Sequence, residues 1–341
     1  MTRDLAAALQ TLAAGGRIGR AVVTALRGSA PRQPGATLLV REDGAMAGSV
    51  SGGCVEAAIA GEVQDAMRIG EPRVRRYGVS DEMAWSIGLA CGGTIEVLIE
   101  PDIRPYIREA VTNPAAAVVA TVLGGRLPVG SAWLFREDGT GEGPVDSIPG
   151  LATAARAAFR TQSSSVVTLG EEPVTSSVFI EMIPRQPRLL IVGAVQVAAT
   201  LVPMAKQVGY YTIVADGRDS FLNRERFPDA DELILGWPEE AFARVGIDAA
   251  TYVCVLSHDP RFDDPAISLA LRSAAAYVGA IGSRKTQAAR RERLGAAGFG
   301  PRELARLHGP IGLDLGGKEP AEIALAILAE MTMARYGKLP A

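Results

Sequence analysis

The sequence predicts a two-domain α/β protein, with an N-terminal α+β domain on a mixed sheet and a C-terminal domain on a doubly wound parallel sheet. Three observations support this prediction. The chain has 341 residues, about twice the length of an average domain. Short β-rich runs fill its first half, whereas strands and helices alternate in its second half. Between them, two prolines within Pro184–Pro187 interrupt both helix and central strand, and so divide residues 1–184 from residues 185–341.

The composition excludes several classes of protein. Apolar residues make up 48% and charged residues 21%, which is typical of globular proteins. With 35 basic and 38 acidic side chains and only 5% aromatic residues, the chain lacks the basic surplus and the stacking platforms of a nucleic-acid binder. No apolar run has the length of a membrane span. Three cysteines without an export signal predict a cytoplasmic protein with free thiols.

The first domain combines strands with two helices. Runs rich in branched and aliphatic residues, bounded by turn formers, predict six strands: RAVVTALRG, ATLLVRED, TIEVLIEP, AAVVATVLGG, SAWLFRED and SSVFIEMIP. An amphipathic pattern predicts a short helix at the N-terminus, and a second helix is predicted near Val55–Arg68. No internal repeat at a fixed period is visible. These elements indicate the α+β domain.

The second domain has continuous apolar strands that alternate with helices. Five strands are predicted: RLLIVG, YYTIVAD, DELILG, TYVCVLS and YVGAIG. Five helices are predicted at Val195–Val208, near Glu239–Val245, from about Asp264, and at Arg284–Ala297 and Ala321–Tyr336. Apolar strands buried on both faces are typical of a parallel sheet, so this domain is predicted to be Rossmann-like.

The first strand of the second domain runs into an incomplete dinucleotide fingerprint, Gly193-Ala194-Val195-Gln196-Val197-Ala198. The second position requires a glycine so that a pyrophosphate can approach the backbone, and here it is Val195. Asp216 ends the second strand, where an acid binds a ribose. Gly193 and Asp216 are therefore candidate nucleotide-binding residues, although Val195 argues against NAD(P) as the cofactor. The alternative is a Rossmann-like domain without dinucleotide affinity.

Two glycine-rich segments in the first domain point to anion binding. They are Gly28-Ser29-Ala30-Pro31-Arg32 and the stretch from Gly48 to Glu56, which opens into a helix. Such loops expose several backbone N–H groups at a helix N-terminus. Cys54 is predicted in the first helical turn, where the pKa of a thiol falls. The candidate cofactor-binding residues there are Gly28, Ser29, Arg32, Ser51, Gly52, Gly53 and Cys54.

A second cysteine has a similar context, because Cys91 is followed by Gly92 and Gly93. These three residues join the candidate set. Core cysteines lie in apolar runs, as Cys254 does in TYVCVLS, so neither Cys54 nor Cys91 is expected in the core. The alternative is that both are incidental thiols in tight turns. No CxxC pair and no partnered histidine supports a zinc site.

Further candidates follow strands of the second domain. His258-Asp259 with Asp263-Asp264 predicts either a metal or substrate site or a helix cap. Ser283 and Arg284 begin a helix and could hold a phosphate, as could the loop at residues 310–317. The arginines of the helix that follows are expected on a solvated face: Arg290, Arg291 and Arg293.

With these motifs, the chain resembles the xanthine dehydrogenase accessory protein family, XdhC/CoxI. The matching stretches are GSAPRQPGA, GSVSGGCVE, LACGGTIEVLIEP, ADGR, SHDPRFDD, YVGAIGSRK and PIGLDLGGKEPAEIALAI, in this order along both domains. Where the family reads GxGHVA, this chain has residues 193–198 without the second glycine and the histidine. The resemblance implies a chaperone that binds molybdenum cofactor and has a C-terminal Rossmann-like domain.

The resemblance also implies a function, a cargo and partners. The function is that of a cytoplasmic maturation factor rather than a turnover enzyme, which hands matured cofactor to an apo molybdenum hydroxylase of the xanthine dehydrogenase type. The cargo is molybdopterin or its cytosine dinucleotide form, with Cys54 and Cys91 contacting the molybdenum. A cysteine desulfurase is a further candidate partner, and a homodimer is expected. Two alternatives remain: an NAD(P)-dependent oxidoreductase on the second domain, and a scaffold that binds proteins without a cofactor.

Overall fold

The structure is a computed structural model, and it confirms the α/β fold class. It describes residues 5, 9, 12, 16–28, 32–78, 93–144, 148–171 and 173–339. The chain forms two compact units, Met1–Arg185 and Gln186–Ala341. The predicted joint at Pro184–Pro187 spans this division. Each unit is described separately.

The first unit contains two five-stranded sheets. Its strands are β1 Ile18–Arg27, β2 Thr37–Arg41, β3 Met46–Gly48, β4 Arg73–Gly78, β5 Thr94–Glu100, β6 Ala117–Gly125, β7 Ala132–Arg136, β8 Gly141–Glu142, β9 Ser165–Glu171 and β10 Val174–Ile183. The first sheet has the order β3-β2-β1-β5-β4 and the second the order β8-β7-β6-β10-β9. All strand pairs among the described residues of this unit are antiparallel, so its sheets are not mixed.

Helices cover both sheets of the first unit. Helix α1 (Glu56–Ile69) packs on the first sheet through Ile59 and Val63, and α3 (Leu151–Thr161) packs on the second sheet. Helix α2 (Pro105–Thr112) joins a core cluster that draws on both sheets. Of the predicted N-terminal helix, Leu5, Leu9 and Leu12 are helical and buried, and its other residues lie outside those described. The helix predicted at Val55–Arg68 is α1.

The first unit is an internal duplication, which the sequence reading missed. The succession β1-β2-β3-α1-β4-β5 recurs as β6-β7-β8-α3-β9-β10, with the same strand order. A β-bulge interrupts the pairing at the same point in both copies, after Val23 and after Val122. The hairpin Arg-Glu-Asp-Gly occurs at 41–44 and again at 136–139. We call the two copies the first and second repeat.

The same hydrogen bond stabilises the hairpin of each repeat. The Asp43 carboxylate accepts from the Ala45 N–H at 3.0 Å, and the Asp138 carboxylate accepts from the Thr140 N–H at 2.9 Å. A carboxylate that bonds the backbone two residues further on stabilises a tight turn. Only four identical consecutive residues carry this signal, which is too short to stand out as a repeat in the sequence.

The second unit is built on a six-stranded parallel sheet. Its strands are β11 Arg188–Val192, β12 Tyr211–Asp216, β13 Glu232–Leu235, β14 Thr251–Val255, β15 Tyr277–Ala280 and β16 Leu307–His308. The sheet has the order β13-β12-β11-β14-β15-β16. This is the strand order of the dinucleotide-binding fold, and its direction reverses between β11 and β14.

Helices lie on both faces of the parallel sheet. They are α4 Gln196–Gln207, α5 Pro238–Val245, α6 Pro260–Arg272, α7 Arg284–Ala296, α8 Pro301–Leu304 and α9 Pro320–Arg335. Helices α4 and α9 pack on one face, and α5, α6 and α7 on the other. Helix α6 begins earlier than predicted, because Asp259 caps it by accepting from the Arg261 N–H. Among the described helices, none is both long enough and apolar enough to cross a bilayer.

Candidate functional site

The strand ends that flank the glycine-rich segments of the first repeat lie at one end of the first sheet. Arg27, the last residue of β1, pairs with Thr94, and so does Gly78, the last residue of β4. At the same end, the Ser49 N–H donates to the Thr37 carbonyl at the start of β2. The strands that flank residues 28–36 and 79–93 in the sequence, and the start of residues 49–55, therefore lie at this end of the sheet.

The loop before α1 wraps around the carboxylate of Glu56. One oxygen accepts from the Ser49 hydroxyl at 2.6 Å and from three backbone N–H groups, those of residues 50, 51 and 52, at 2.9–3.2 Å. The other oxygen accepts from the Ser51 hydroxyl and from the N–H groups of Gly53 at 2.9 Å and Val55 at 3.2 Å. We call residues 49–55 the donor loop. The predicted anion-binding donors are thus present, and an internal anion occupies them.

The donors of the loop outnumber the lone pairs of the carboxylate, so some of the bonds are shared, and the Gly52 and Val55 N–H groups also donate to the Ser49 and Ser51 hydroxyls. Seven donors converge on two oxygens that together present about four lone-pair positions. Partial burial raises the pKa of Glu56, but the hydroxyls of Ser49 and Ser51 and the backbone N–H groups more than reverse this effect, and the pKa falls to about 2. Glu56 is therefore an anion at any physiological pH. An anion with more acceptor oxygens would match the loop better.

Cys54 lies in the donor loop, two residues before the first helical residue of α1, and not in the first turn as predicted. The reason is that the loop closes on Glu56 before the helix begins. The Cys54 N–H donates to the Ser51 hydroxyl at 3.0 Å, and the side chain is half-buried. Cys254, in contrast, is fully buried in the core of the second unit, as expected. Glu56 itself is the residue that sequence reasoning missed, although it ends the quoted motif.

The other candidates of the first unit are placed only in part. Gly28 is exposed with φ +76°, Arg32 is exposed, and Gly93 is half-buried directly before β5. Gly52 and Gly53 also have positive φ, at +87° and +120°, which suits glycine. Ser29, Cys91 and Gly92 lie outside the described residues. Whether Cys91 reaches Cys54 stays a prediction.

The second repeat supplies an internal comparison for this site. Its loop from Gly143 to Leu151 has the same length as that from Gly48 to Glu56, but it has Pro149 in place of Cys54 and Leu151 in place of Glu56. At this end of the second sheet lies a cavity of about 240 Å³, lined among others by Arg126, Pro149 and Gly170. In the first repeat Arg27, Cys54 and Gly78 take the corresponding positions. The thiol of Cys54 and the carboxylate of Glu56 therefore have no counterpart at the equivalent positions of the second repeat.

In the second unit, Gly193 and Asp216 are close together at the carboxyl ends of β11 and β12. Gly193 has φ +111°, and a Cβ there would lie 2.7 Å from the Ser257 backbone nitrogen. Asp216 is buried and accepts from the Ala194 N–H at 2.7 Å and from Arg218, through its backbone N–H and its guanidinium. These four bonds fill the acceptor positions of the carboxylate. Its predicted contact with a ribose would require the displacement of one of them.

Ser283 and Arg284, the two predicted phosphate-binding residues at the start of α7, have different surroundings. The Ser283 hydroxyl caps α7 by accepting from the Thr286 N–H at 3.1 Å, so it serves the helix. The Arg284 side chain is 90% exposed, with Asp314 at 3.9 Å.

One expectation for the second unit is wrong. Arg290 is buried rather than solvated: it pairs with Asp263 at 2.8 Å and donates to the Ile281 carbonyl. Asp263 in turn accepts from the Ser257 hydroxyl at 2.5 Å. The cause is tertiary, since α6 and α7 pack side by side and place acid and base in contact. The SHDPRFDD segment therefore supplies a helix cap and a buried ion pair, and no metal cluster occurs among the described residues.

The fold and the donor loop define a class of protein: a duplicated antiparallel domain with a glycine-rich, cysteine-bearing loop, followed by a dinucleotide-type parallel domain. Family models match both parts, the XdhC and CoxI family at residues 11–78 and the XdhC Rossmann domain at residues 189–331. The chain belongs to the XdhC and CoxI family.

Relatives match along nearly the whole chain. The molybdenum cofactor insertion chaperone PaoD of Escherichia coli is 30% identical, over 91% of this chain and 81% of that protein. A Bacillus subtilis protein described as a probable xanthine dehydrogenase component is 27% identical, over 92% of both chains. A solved structure from Bacillus halodurans, described as a xanthine dehydrogenase, has a TM-score of 0.79 at 26% identity and covers 98% of this chain and 96% of its own.

Proposed function

We propose that this protein is a maturation chaperone that binds molybdenum cofactor and delivers it to an apo molybdenum hydroxylase of the xanthine dehydrogenase type. The donor loop of the first repeat carries the proposal. Its seven donors converge on an anion, and Cys54 lies in the same loop. The insertion-chaperone name of the relative PaoD supports the same role.

The donor loop supports binding of the phosphate end of the cofactor. A phosphate presents three acceptor oxygens, against the two of a carboxylate, so it would use donors that Glu56 leaves poorly matched. Glu56 then serves as an internal substitute that keeps the loop ordered until cofactor arrives. When phosphate enters, the Glu56 side chain moves out to solvent, which its partial exposure permits.

Cys54 supports binding at the molybdenum end. A thiolate is a soft ligand and suits a molybdenum centre with sulfur ligands better than it suits a hard phosphate. Cys91 lies three residues before β5 in the sequence, and β5 begins at the same end of the first sheet as the donor loop. We propose that both thiols approach the metal. A chaperone must also release its cofactor. Two thiol contacts, and a loop in which Glu56 can replace the phosphate again, would allow such release.

The test is to purify the full chain from cells that produce the cofactor, and to measure released pterin and molybdenum. We expect both in the parent protein, and less of both in Cys54→Ser and Cys91→Ser. The double variant should be little worse than either single one, since residues that act as a unit are not additive. Glu56→Gln, which weakens the internal competitor, should retain at least as much cofactor as the parent.

Pro149→Ser is the matched control, because Pro149 takes the position of Cys54 in the second repeat. It should leave retention unchanged. Parent protein that releases neither pterin nor molybdenum, or cysteine variants that retain as much as the control and activate the target hydroxylase fully, would rule out the proposal. In that case the scaffold without a cofactor becomes the better interpretation.

A further inference from the structure

A cationic side chain is held at the carboxyl end of β12, next to the point where the strand order of the second sheet reverses. The guanidinium of Arg218 donates through Nε and Nη2 to Asp216, at 2.9 and 2.8 Å. It also lies over the ring of Phe221, 4.3 Å from its centroid. The side chain is nevertheless 51% exposed. Among the described residues no acceptor takes the remaining Nη1 donor, so a positioned cation faces solvent at the usual ligand end of such a sheet.

An aromatic pair lies beside this cation. Trp237 lies two residues after the end of β13 and stacks on Phe262 of α6, with ring centroids 4.6 Å apart and an interplanar angle of 27°. Phe262 lies against Gly217, the residue before Arg218, where a Cβ would be only 2.8 Å from its ring. Trp237 remains 51% exposed. A large ring with one face supported and the other open is a platform for a second ring.

Two carboxylates lie near Arg218, and its pKa is raised chiefly by the hydrogen bond to Asp216 and to a smaller extent by the charge of Asp259. Asp259, at the start of α6, is paired with Arg261 at 2.7 Å. Asp216 has its acceptor positions filled, so it offers nothing to ribose hydroxyls. Val195 stands where a pyrophosphate would have to approach the backbone. Asp216 is therefore occupied and the glycine of the pyrophosphate contact is replaced, whereas a cation and a stacking surface are present.

We propose that this end of the second domain binds a nucleotide through its base and one phosphate monoester, with the base stacked on Trp237 and the phosphate paired with Arg218. A monoester carries close to two negative charges and matches the planar guanidinium, whereas each phosphate of a pyrophosphate linkage carries one. The site is independent of the proposed cofactor function, which rests on the first repeat. The proposed site selects ligands that carry a terminal phosphate, and it makes no use of the ribose hydroxyls.

The experiment is a titration of the purified full chain, free of molybdenum cofactor, with binding monitored by calorimetry and by tryptophan fluorescence. The probes are cytidine 5′-monophosphate, adenosine 2′,5′-bisphosphate, cytidine, inorganic phosphate and NAD⁺. We expect at least one monoester nucleotide to bind with a Kd of about 100 μM, about tenfold or more tighter than cytidine, phosphate or NAD⁺. The tighter of the two nucleotides identifies the source, a pyrimidine nucleotide or a 2′-phosphorylated adenine nucleotide.

Three variants test the two contacts. Arg218→Ala should weaken the nucleotide about tenfold and leave cytidine unchanged, whereas Trp237→Ala should weaken both. Nucleotide binding should quench the fluorescence of the parent but not of Trp237→Phe, which keeps the stack without the indole. Arg244→Ala, an exposed arginine paired with Glu232 elsewhere in this unit, should bind as the parent does.

Several results would overturn the site. One is that neither nucleotide binds. Another is that NAD⁺ or inorganic phosphate binds as tightly as the monoester nucleotides. A third is that Arg218→Ala leaves the affinity for the nucleotide unchanged. Trp237 is half-exposed, so its variants should fold, whereas Arg218 pairs with the buried Asp216 and its removal has a stability cost. A thermal unfolding curve for each variant checks that it is folded under the conditions of the titration. Cofactor retention by the first domain is measured separately, so failure of one proposal leaves the other intact.

Discussion

Glu100 and Glu181 occupy equivalent positions in the two repeats, and both bind the same guanidinium. Glu100 pairs in register with Arg20, and Glu181 pairs in register with Val119 of the second repeat. Arg20 donates to Glu100 at 3.1 Å and also to Glu181, and all three side chains are buried. Burial raises the pKa of Glu181 against the attraction of Arg20. One arginine thus joins the two copies through an acid that each contributes.

Replacement of Arg20 by Met should destabilise the first unit strongly, because it leaves two buried carboxylates without their shared partner. The expected loss is about 3–5 kcal/mol in the free energy of unfolding, measured by urea denaturation. Arg17→Met is the control, since Arg17 and its partner Asp102 are about half-exposed, and it should cost at most about 1 kcal/mol. Equal losses for the two variants would contradict this account.

Glu56→Gln should change how stability depends on pH. The pKa of Glu56 is lowered to about 2, so its stabilising bonds are fully present above its usual value and are lost as pH falls from about 4.5 to about 2. The variant should be less stable than the parent at pH 7, by about 1–2 kcal/mol, because charge-assisted hydrogen bonds become neutral ones. The difference should shrink towards pH 2. A difference that stays constant from pH 7 to pH 2 would show that the charge is not what the donor loop holds.

Cys54 should react with a limiting alkylating reagent well before Cys254. Cys54 is half-buried in the donor loop, whereas Cys254 is 0% exposed and burial raises its thiol pKa. We expect a rate ratio of about tenfold or more in the native protein, read by mass spectrometry of the labelled peptides. Denatured protein, in which both should label alike, is the control. Preferential labelling of Cys254 in the native state would mean that the core assignment is wrong.

NAD⁺ should bind the parent no tighter than about 1 mM, which is about −4 kcal/mol. Val195→Gly alone should improve this little, because Arg218 and Ala194 fill the acceptor positions of Asp216. The combination of Val195→Gly with Arg218→Ala should improve it about tenfold or more, since it opens both the pyrophosphate and the ribose contact. Calorimetric titration measures all three proteins. Micromolar affinity of the parent, or a single variant as good as the double, would refute the role given to Val195 and Asp216.

Local patterns predicted much of this protein. The alternation of apolar strands and helices predicted the parallel sheet, because residues buried on both faces of a strand must all be apolar. The glycine-rich segments predicted loops with several free backbone donors, and the apolar run around Cys254 predicted its burial. Each of these features depends on near neighbours in the chain, so a single sequence contains it.

Only the tertiary structure decided which groups these donors and charges meet. The donor loop closes on Glu56, Arg290 is buried against Asp263, and Asp216 is filled by Arg218 and Ala194. The duplication of the first unit was invisible because strand order and bulge position recur while few side chains do. Hydrogen bonding and desolvation act over a few ångströms of space, whatever the separation along the chain. The sequence therefore determined which elements form and which side chains are chemically capable, and the packing of those elements decided which of them are free to bind.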